Sequence, residues 1–600
     1  MAIDSAKNPS AATYTLSITN VQLADAGGYF VIATDSDSPP GSATSRVAIL
    51  KVDPTFTKIT KGQVVEDQGP WGSGYWGDFD GDGLVDLFVP ANILPPNTYY
   101  KCALYRNLGG DNFERVTNAA TDKVKQTWWS LWADFDNNGT LDLFALHPAA
   151  KNELFRNDGR GNFTPVFCTV TSYTGTHWGA EWVDFDRDGF LDILVTAYNG
   201  KPRFFHGRGD GYFWVWTSSD VGPWINDVSS TFAPAFCDID GDGDADLYMS
   251  EAFGLNALYR NDGTGQLEPV TAGTLPTGLS TASVLWADIN NDGLSDLLTV
   301  DYDPGTDLPG ALRFYRNLGE WEFQDATVEA GLDSPVAGWA VAVADFDNDG
   351  DLDIYAPNYM GTDALYENQG DGTFVQKDVG SPLTEGTRDG AAWADYNNDG
   401  FMDLFKGCGD LVTARSLLYR NSLKELAGNN NGWLMVRLVG IASNRSAIGA
   451  CVRAEALIGG KQVRQLRQIQ SGPNPGAGLS GLNAHFGLGD AAKVDVLRIQ
   501  WPSGIVQELR DVPSNQTLTV TEHQETEGTA QPQLSVSKAA GGPAKLTLTG
   551  QTNLLYVFET STDLVNWAKL GVRKNETGTV EYVDELNSTS ERRFYRAVAP

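Results

Sequence analysis

The chain has 600 residues, a formal net charge of −34, 65 glycines, 17 tryptophans and 21 tyrosines. Such an acidic surface repels nucleic acid, and the glycine and aromatic content suits turn-rich β structure. Nowhere do about eighteen apolar residues run together as membrane insertion requires, and Cys102, Cys168, Cys237, Cys408 and Cys451 have neither a disulfide framework nor zinc-ligand spacing.

Residues 1–53 read as three strands, at 14–18, 29–34 and 44–52, bounded by polar turns. Asp25-Ala26-Gly27-Gly28-Tyr29 resembles the tyrosine corner of an immunoglobulin-like domain, although Val31 stands where such a domain carries a cysteine. Only the second half of that domain is represented, so this is a partial immunoglobulin-like module.

From residue 55 to 425 one nine-residue acidic loop recurs seven times, starting at Asp78, Asp134, Asp184, Asp238, Asp288, Asp345 and Asp395. The first copy, Asp78-Phe79-Asp80-Gly81-Asp82-Gly83-Leu84-Val85-Asp86, carries carboxylates at positions 1, 3, 5 and 9 and glycine at position 6. Successive starts lie 50 to 57 residues apart, about the length of a four-stranded propeller blade. Trp76, Trp132, Trp182, Phe236, Trp286 and Trp393 each stand two residues before the loop, with Val343 in the sixth copy. Downstream comes an aromatic-Arg-Asn turn, as in Tyr105-Arg106-Asn107, with variants at Phe205 and Tyr366, and then a strand opening on Phe113, Phe163, Phe213, Phe323 or Phe374. The seventh unit lacks that last strand. Residues 56–60 match residues 113–117, so the N-terminal segment is expected to complete the last blade and leave no open sheet edge. The fold class is all-β: a seven-bladed β-propeller with β-sandwich accessory modules.

Carboxylates at 1, 3, 5 and 9 with the carbonyl of residue 7 supply the oxygen-rich, angularly tolerant shell that Ca²⁺ prefers. The expected ligands are Asp78, Asp80, Asp82 and Asp86; Asp134, Asp136, Asn138 and Asp142; Asp184, Asp186, Asp188 and Asp192; and Asp238, Asp240, Asp242 and Asp246. The last three loops offer Asp288, Asn290, Asp292 and Asp296; Asp345, Asp347, Asp349 and Asp353; and Asp395, Asn397, Asp399 and Asp403. Up to seven structural Ca²⁺ ions follow, with weaker binding where Asn replaces Asp. An EF-hand would need a glutamate at position 12 and flanking helices, which are missing, and plain Asx turns do not need four carboxylates at fixed offsets.

Each innermost strand delivers the chain to its acidic loop, so the residues opening that strand lie about 20 Å away on the opposite face. Positions varying there are free for function. Trp71, Trp128, Trp178, Trp339, Tyr359 and Asp389 form a candidate ligand-binding set, since aromatic faces with polar neighbours suit sugar rings. His147, His177, Tyr198, Glu251 and Arg388 are catalytic candidates on that face: the histidines, tyrosine and arginine resemble lyase sets, whereas Glu251 with Asp301 or Asp389 would suit a glycosidase.

Gly428-Asn429-Asn430-Asn431-Gly432 is a polar linker into an alternating strand pattern over residues 430–523. Trp433-Leu434-Met435-Val436-Arg437-Leu438, Ser443-Asn444-Arg445, His485-Phe486-Gly487-Leu488-Gly489 and Trp501-Pro502-Ser503-Gly504 resemble the ASPIC/UnbV domain, and the repeats before it resemble the FG-GAP/VCBS type of integrin α propellers. Residues 532–600 are similar to small fibronectin-like modules. The resemblance implies calcium-bearing propellers placed outside the cell, extracellular, periplasmic or on the cell surface, and no defined reaction; a removed signal peptide would then be needed, and residues 1–10 show none. The expected function is recognition of a glycan or an extracellular protein ligand on the face opposite the loops, with a polysaccharide lyase or glycoside hydrolase as the alternative.

Overall fold

The strands that enter and leave each acidic loop pair antiparallel, so that the residue before the loop faces position 9: Gly77 opposite Asp86, Ala133 opposite Asp142, Val183 opposite Asp192. Both strands are buried on both sides, which is why they read as apolar runs. The computed structural model describes residues 26–598 apart from short stretches, among them 35–41, 92–100, 386–389, 408–414, 524–532 and 585–592.

Six repeats each form a sheet of four consecutive antiparallel strands, exemplified by Trp129–Ala133, Asp142–Leu146, Glu153–Asn157 and Phe163–Val166. The seventh sheet has three strands of its own, Ala391–Ala394, Asp403–Lys406 and Leu417–Asn421, and takes Phe56–Lys58 as its fourth. The register is Tyr419 with Lys58, Arg420 with Thr57 and Asn421 with Phe56, as the matching N-terminal segment implies. The fold is therefore all-β and of the propeller type.

Two sets of asparagines stitch neighbouring repeats together. The asparagine of the aromatic-Arg-Asn turn reaches the position 2 carbonyl of the preceding loop: Asn157 Nδ2 donates to Phe79 O at 2.6 Å, Asn368 to Ile289 O at 2.8 Å, Asn421 to Phe346 O at 2.7 Å, and Asn107 to Tyr396 O at 2.7 Å. The last of these joins the first repeat to the seventh. At position 4, Asn137, Asn291, Asn348 and Asn398 donate to the position 6 carbonyl of the following loop at 2.8 to 3.0 Å. Position 4 is left-handed (Asn398 φ 57°) and so is position 6 (Gly400 φ 92°), which explains asparagine or glycine at the first in six of the seven loops and glycine at the second in all of them.

Residues after the linker form two sheets, Asn483–Gly489, Gly432–Val439 and Gln516–Thr521 against Lys461–Gln468, Cys451–Ile458, Lys493–Gln500 and Val506–Pro513. Leu434, Val436, Phe486, Val452, Leu497, Ile499 and Trp501 are buried between them. Glu522, also buried, accepts from Ile441 N, Ser443 N, Ser443 Oγ and Ser503 Oγ at 2.5 to 2.9 Å, and so joins two of the sequence motifs. A two-residue strand from this domain, Ala477–Gly478, lies parallel to Ala391–Ala394 on the inner edge of the seventh sheet.

The C-terminal module has two three-stranded sheets, Gln533–Lys538, Ala544–Thr549 and Thr579–Asp584 in one and Ala568–Asn575, Leu554–Ser561 and Phe594–Val598 in the other. At the N-terminus the expected strand over 29–34 is split: Gly27–Tyr29 pairs with Ala48–Leu50, and Ile32–Thr34 with Ser42–Thr44. The strand expected at 14–18 lies outside the described residues.

Candidate functional site

Within a loop the backbone holds the carboxylates in place. Position 1 accepts the N–H groups of positions 5 and 6 (Asp82 N and Gly83 N to Asp78, 3.1 and 3.0 Å), and position 5 accepts that of position 7 (Leu84 N to Asp82, 2.8 Å). Position 9 is tied on both oxygens: Asp86 Oδ2 accepts from Phe79 N at 3.0 Å and Oδ1 from Asn107 N at 2.8 Å. The turn asparagine thus positions the ninth residue's carboxylate as well as locking the neighbouring repeat.

The arginine of the same turn serves the third position. Arg106 pairs with Asp80 at 2.8 Å, Arg156 with Asp136 at 2.5 Å and Arg260 with Asp240 at 3.2 Å. Where position 3 is asparagine the arginine turns elsewhere, Arg316 to Glu329 at 3.5 Å and Arg420 to Asp111 at 3.1 Å. This dependence was invisible at the level of motif matching.

Carboxylate oxygens of positions 1, 3 and 9 converge within 4.8 Å in the loops of Asp78, Asp134, Asp238 and Asp345; in the third loop the converging groups are Asp186, Asp188 and His206. Burial pushes the Asp86 and Asp246 carboxyls up to about 8 and those of Asp134, Asp288 and Asp395 up to about 7, with neighbouring acids adding to the rise. Buried oxygens of Asp80, Asp136, Asp184, Asp238 and Asp347 accept no hydrogen bond. Outside the third loop, where His206 adds a nitrogen, the donor set is oxygen alone, and with an orphaned oxygen in five of the loops it fits a hard divalent cation such as Ca²⁺, which would hold the ionised forms. The two loops without such an oxygen, at Asp288 and Asp395, have asparagine at position 3.

The domain that follows the linker sits over these loops. Arg437 Nη2 donates to Gly83 O at 2.7 Å, Ser446 Oγ accepts from Asp134 N at 2.8 Å, and Asn429 and Asn431 donate to Asp347 O at 2.8 and 3.0 Å. His485 Nε2 lies 3.1 Å from Gly400 O, and Gly489 N donates to Asn348 O at 2.8 Å. A Cβ on Gly487 would stand 1.9 Å from Asp345 Oδ2, and one on Gly400 would meet the Trp433 indole at 1.9 Å. Hence the His485-Phe486-Gly487-Leu488-Gly489 strand is a docking strand, and its glycines permit contact with the loops. Arg467, deeply buried, donates to His485 O and Gln465 Oε1 at 3.0 Å beside Asp288, Asp345 and Asp351.

On the opposite face, Trp178 packs on Tyr198 and Phe232, with ring centroids 5.2 and 4.7 Å apart, and on Trp129 at 5.9 Å. Trp178, Tyr198 and Trp339 are half-buried. His177 turns away from them: its ring lies 4.5 Å from Tyr173, its Nδ1 is 3.0 Å from Asn152 Oδ1, and its Nε2 has no partner. Asn152 Oδ1 also accepts from His147 N at 3.2 Å, and His147 Nε2 lies 3.1 Å from Glu153 Oε2. The two histidines therefore meet through Asn152, both buried, with the aromatic cluster on another side. Burial holds the His177 imidazole down at about 4. Glu251 is half-buried and burial raises its carboxyl to about 7; Asp301 is paired with Arg313 at 3.0 Å. Trp71, Trp128, Tyr359, Arg388 and Asp389 lie outside the described residues. Sequence reading missed a buried group at this end of repeats 6 and 7: Lys406 pairs with Asp363 at 2.7 Å, and Asp363 accepts from Tyr355 Oη at 2.6 Å. Only the lysine at the end of an apolar strand could have signalled it.

The sheets, the loops and the docked domain together define a class. The model of the FG-GAP-like repeat matches residues 134–195, 184–249, 238–299, 305–356 and 354–405, and that of ASPIC and UnbV matches residues 440–527. The chain thus carries FG-GAP-like repeats followed by an ASPIC and UnbV domain. Among curated proteins it is similar to cartilage acidic protein 1 of Homo sapiens and of Mus musculus, each 28% identical over 297 residues that make up 46% of this chain and 42% of the relative. The chain therefore spans less than half the length of these relatives. Among solved structures it is similar to the BP39L lectin from Burkholderia pseudomallei, with 13% identity, a TM-score of 0.41, and coverage of 59% of this chain and 97% of that one.

Proposed function

We propose that this is an extracellular, calcium-stabilised propeller that recognises a glycan or a protein ligand on the face opposite its acidic loops, in an adhesive or recognition role. The observation that carries this reading is the cap. Arg437, Ser446, Asn429, His485 and Gly489 occupy the loop face, so a large ligand is left the opposite rim. There Trp178, Tyr198 and Trp339 offer half-exposed rings of the kind that stack on sugars or anchor protein interfaces. Trp71, Trp128, Tyr359 and Asp389 belong to the same proposed surface. The 28 loop positions named above would hold Ca²⁺ as a structural ion. The similarity to cartilage acidic protein 1, a protein named for a tissue, agrees with an extracellular placement.

The test is binding of the full chain to a glycan array and to immobilised matrix proteins, with Trp178→Ala and Trp339→Ala as variants. Loss of binding in variants that still melt at the wild-type temperature supports the reading; undiminished binding by both overturns it. One observation favours the enzymatic alternative: Glu251, with its carboxyl raised to about 7, keeps a proton near neutrality as a general acid must. Release of reducing ends or unsaturated uronates from acidic polysaccharides, abolished by Glu251→Gln, would establish it in place of simple recognition.

A further inference from the structure

Repeat 3 departs from its sisters around the acidic loop. Position 4, glycine or asparagine in every other loop, is Arg187, held at φ 57° and paired with Asp244 of the next loop at 2.8 Å. The turn residue that is arginine in five repeats is His206 here. In repeat 6, the other exception, Glu367 pairs with Lys377 at 2.8 Å.

His206 is set as a metal-binding histidine is set. Its Nδ1 lies 2.9 Å from Asp192 Oδ1, a carboxylate with no exposed surface, and its ring stacks on Trp216 at 4.6 Å. With Nδ1–H donating to Asp192, the lone pair is on Nε2, the carboxylate–histidine arrangement that orients imidazole towards an ion. Nε2 faces Asp188 Oδ2 at 4.0 Å and Nδ1 lies 3.8 Å from Asp186 Oδ2, both beyond hydrogen-bond reach, and the three residues each bring a ligand atom within 4.8 Å of the others.

An independent observation points the same way. Asp184, 6% exposed and beside Asp186, accepts from Gly189 N through Oδ1, while its buried Oδ2 has no partner in hydrogen-bond geometry, the Asn444 side chain being the polar group beside the carboxylate. The nearest cation does not answer it. Lys569 of the C-terminal module places its Nζ on Gly189 O, Ala442 O and Ser443 O at 2.9, 2.8 and 3.2 Å, which uses the three donors of an ammonium.

We propose that repeat 3 carries a mixed nitrogen and oxygen site, His206 with Asp184, Asp186 and Asp188, that takes a transition-metal divalent ion in preference to Ca²⁺. Imidazole is a good ligand for Zn²⁺, Co²⁺ and Ni²⁺ and a poor one for Ca²⁺, whereas the other six loops present oxygen alone. Asp188 and His206 also line a cleft of about 760 Å³ between repeat 3 and the C-terminal module, whose walls include Trp214, Arg208, Arg573 and Tyr582. The ion therefore has a side open to water or to an anionic ligand. This inference rests on reading the acidic loops as metal sites.

The test uses the full chain, stripped with chelator and loaded with Co²⁺ in millimolar Ca²⁺. The expected result is one Co²⁺ retained per chain after desalting, with a d–d spectrum of nitrogen ligation. Binding weakens by 100-fold or more in His206→Arg, the residue that five sister repeats hold there, and in His206→Gln, while Ca²⁺ content of the other loops stays unchanged. Equal Co²⁺ retention by wild type and both variants, or complete displacement by Ca²⁺ in the wild type, overturns the inference. Should both variants misfold, pulsed EPR of the Cu²⁺- or Mn²⁺-loaded wild type decides it: imidazole nitrogen coupling supports the site and its absence overturns it. Failure to bind Ca²⁺ as well as Co²⁺ would instead remove the metal reading of all the loops.

Discussion

The two faces of the propeller obey opposite rules. On the loop face the same backbone hydrogen bonds recur from repeat to repeat, and a second domain covers them through contacts such as Gly487 on Asp345 and His485 on Gly400. On the opposite face the side chains vary: six residues before the loop stand Trp178 and Trp339 in repeats 3 and 6, but Phe232 and Ala282 in repeats 4 and 5. The difference teaches that recurrence marks what every repeat needs in order to close its own sheet, whereas variation marks what no repeat needs for folding. The motifs most visible in the sequence are therefore structural, and recognition is sought where the repeats disagree.

That contrast can be broken experimentally. The largest effect is expected from metal removal: a loop saturated at a hundred times its dissociation constant contributes about 2.7 kcal/mol, so chelation should lower the melting temperature by roughly 10 °C or more, as read by calorimetry. An unchanged melting temperature would remove Ca²⁺ from the account. Next comes acid sensitivity. The unfolded chain protonates histidine below about 6.5, whereas folded His177 resists until about 4. Stability should therefore fall as pH drops through that window, by at most about 3 kcal/mol from this residue, and His177→Gln should flatten its share in denaturant titrations. Burial holds His485 down at about 4 too, so some slope persists in that variant. Gly487→Ala should cost about 2 kcal/mol, because its Cβ meets Asp345, and should make the linker near Gly428 more sensitive to protease than the sheets. The smallest effect, about 1 kcal/mol in thermal unfolding, is expected of Asn398→Ala, which removes one seam between the seventh loop and the first.

Much of the fold was legible because its signals are local. The acidic loops, the aromatic before each loop and the aromatic-Arg-Asn turn announced seven similar units, and the match of residues 56–60 to residues 113–117 announced the strand exchange seen at Phe56–Lys58. Less of the candidate site was legible. His177 and Trp178 were grouped on one face, yet they are adjacent in the chain and point to different sides, as the alternation of an extended segment dictates. The arginine that answers a position 3 aspartate was present in the motif, but its partner lies in the loop twenty or more residues earlier and only the folded turn brings them together.

By itself, then, the sequence determined the repeat, the position of the acidic residues and the strand that completes the seventh sheet, because each depends on residues a fixed offset apart along one strand or turn. Only the tertiary structure decided that a second domain covers the loops, that Ala477–Gly478 joins the inner edge of the seventh sheet, and that Lys569 and His206 set the third loop apart. These are contacts between segments as much as 380 residues apart. Their geometry comes from how whole domains dock, for which no local pattern of residues provides a signal.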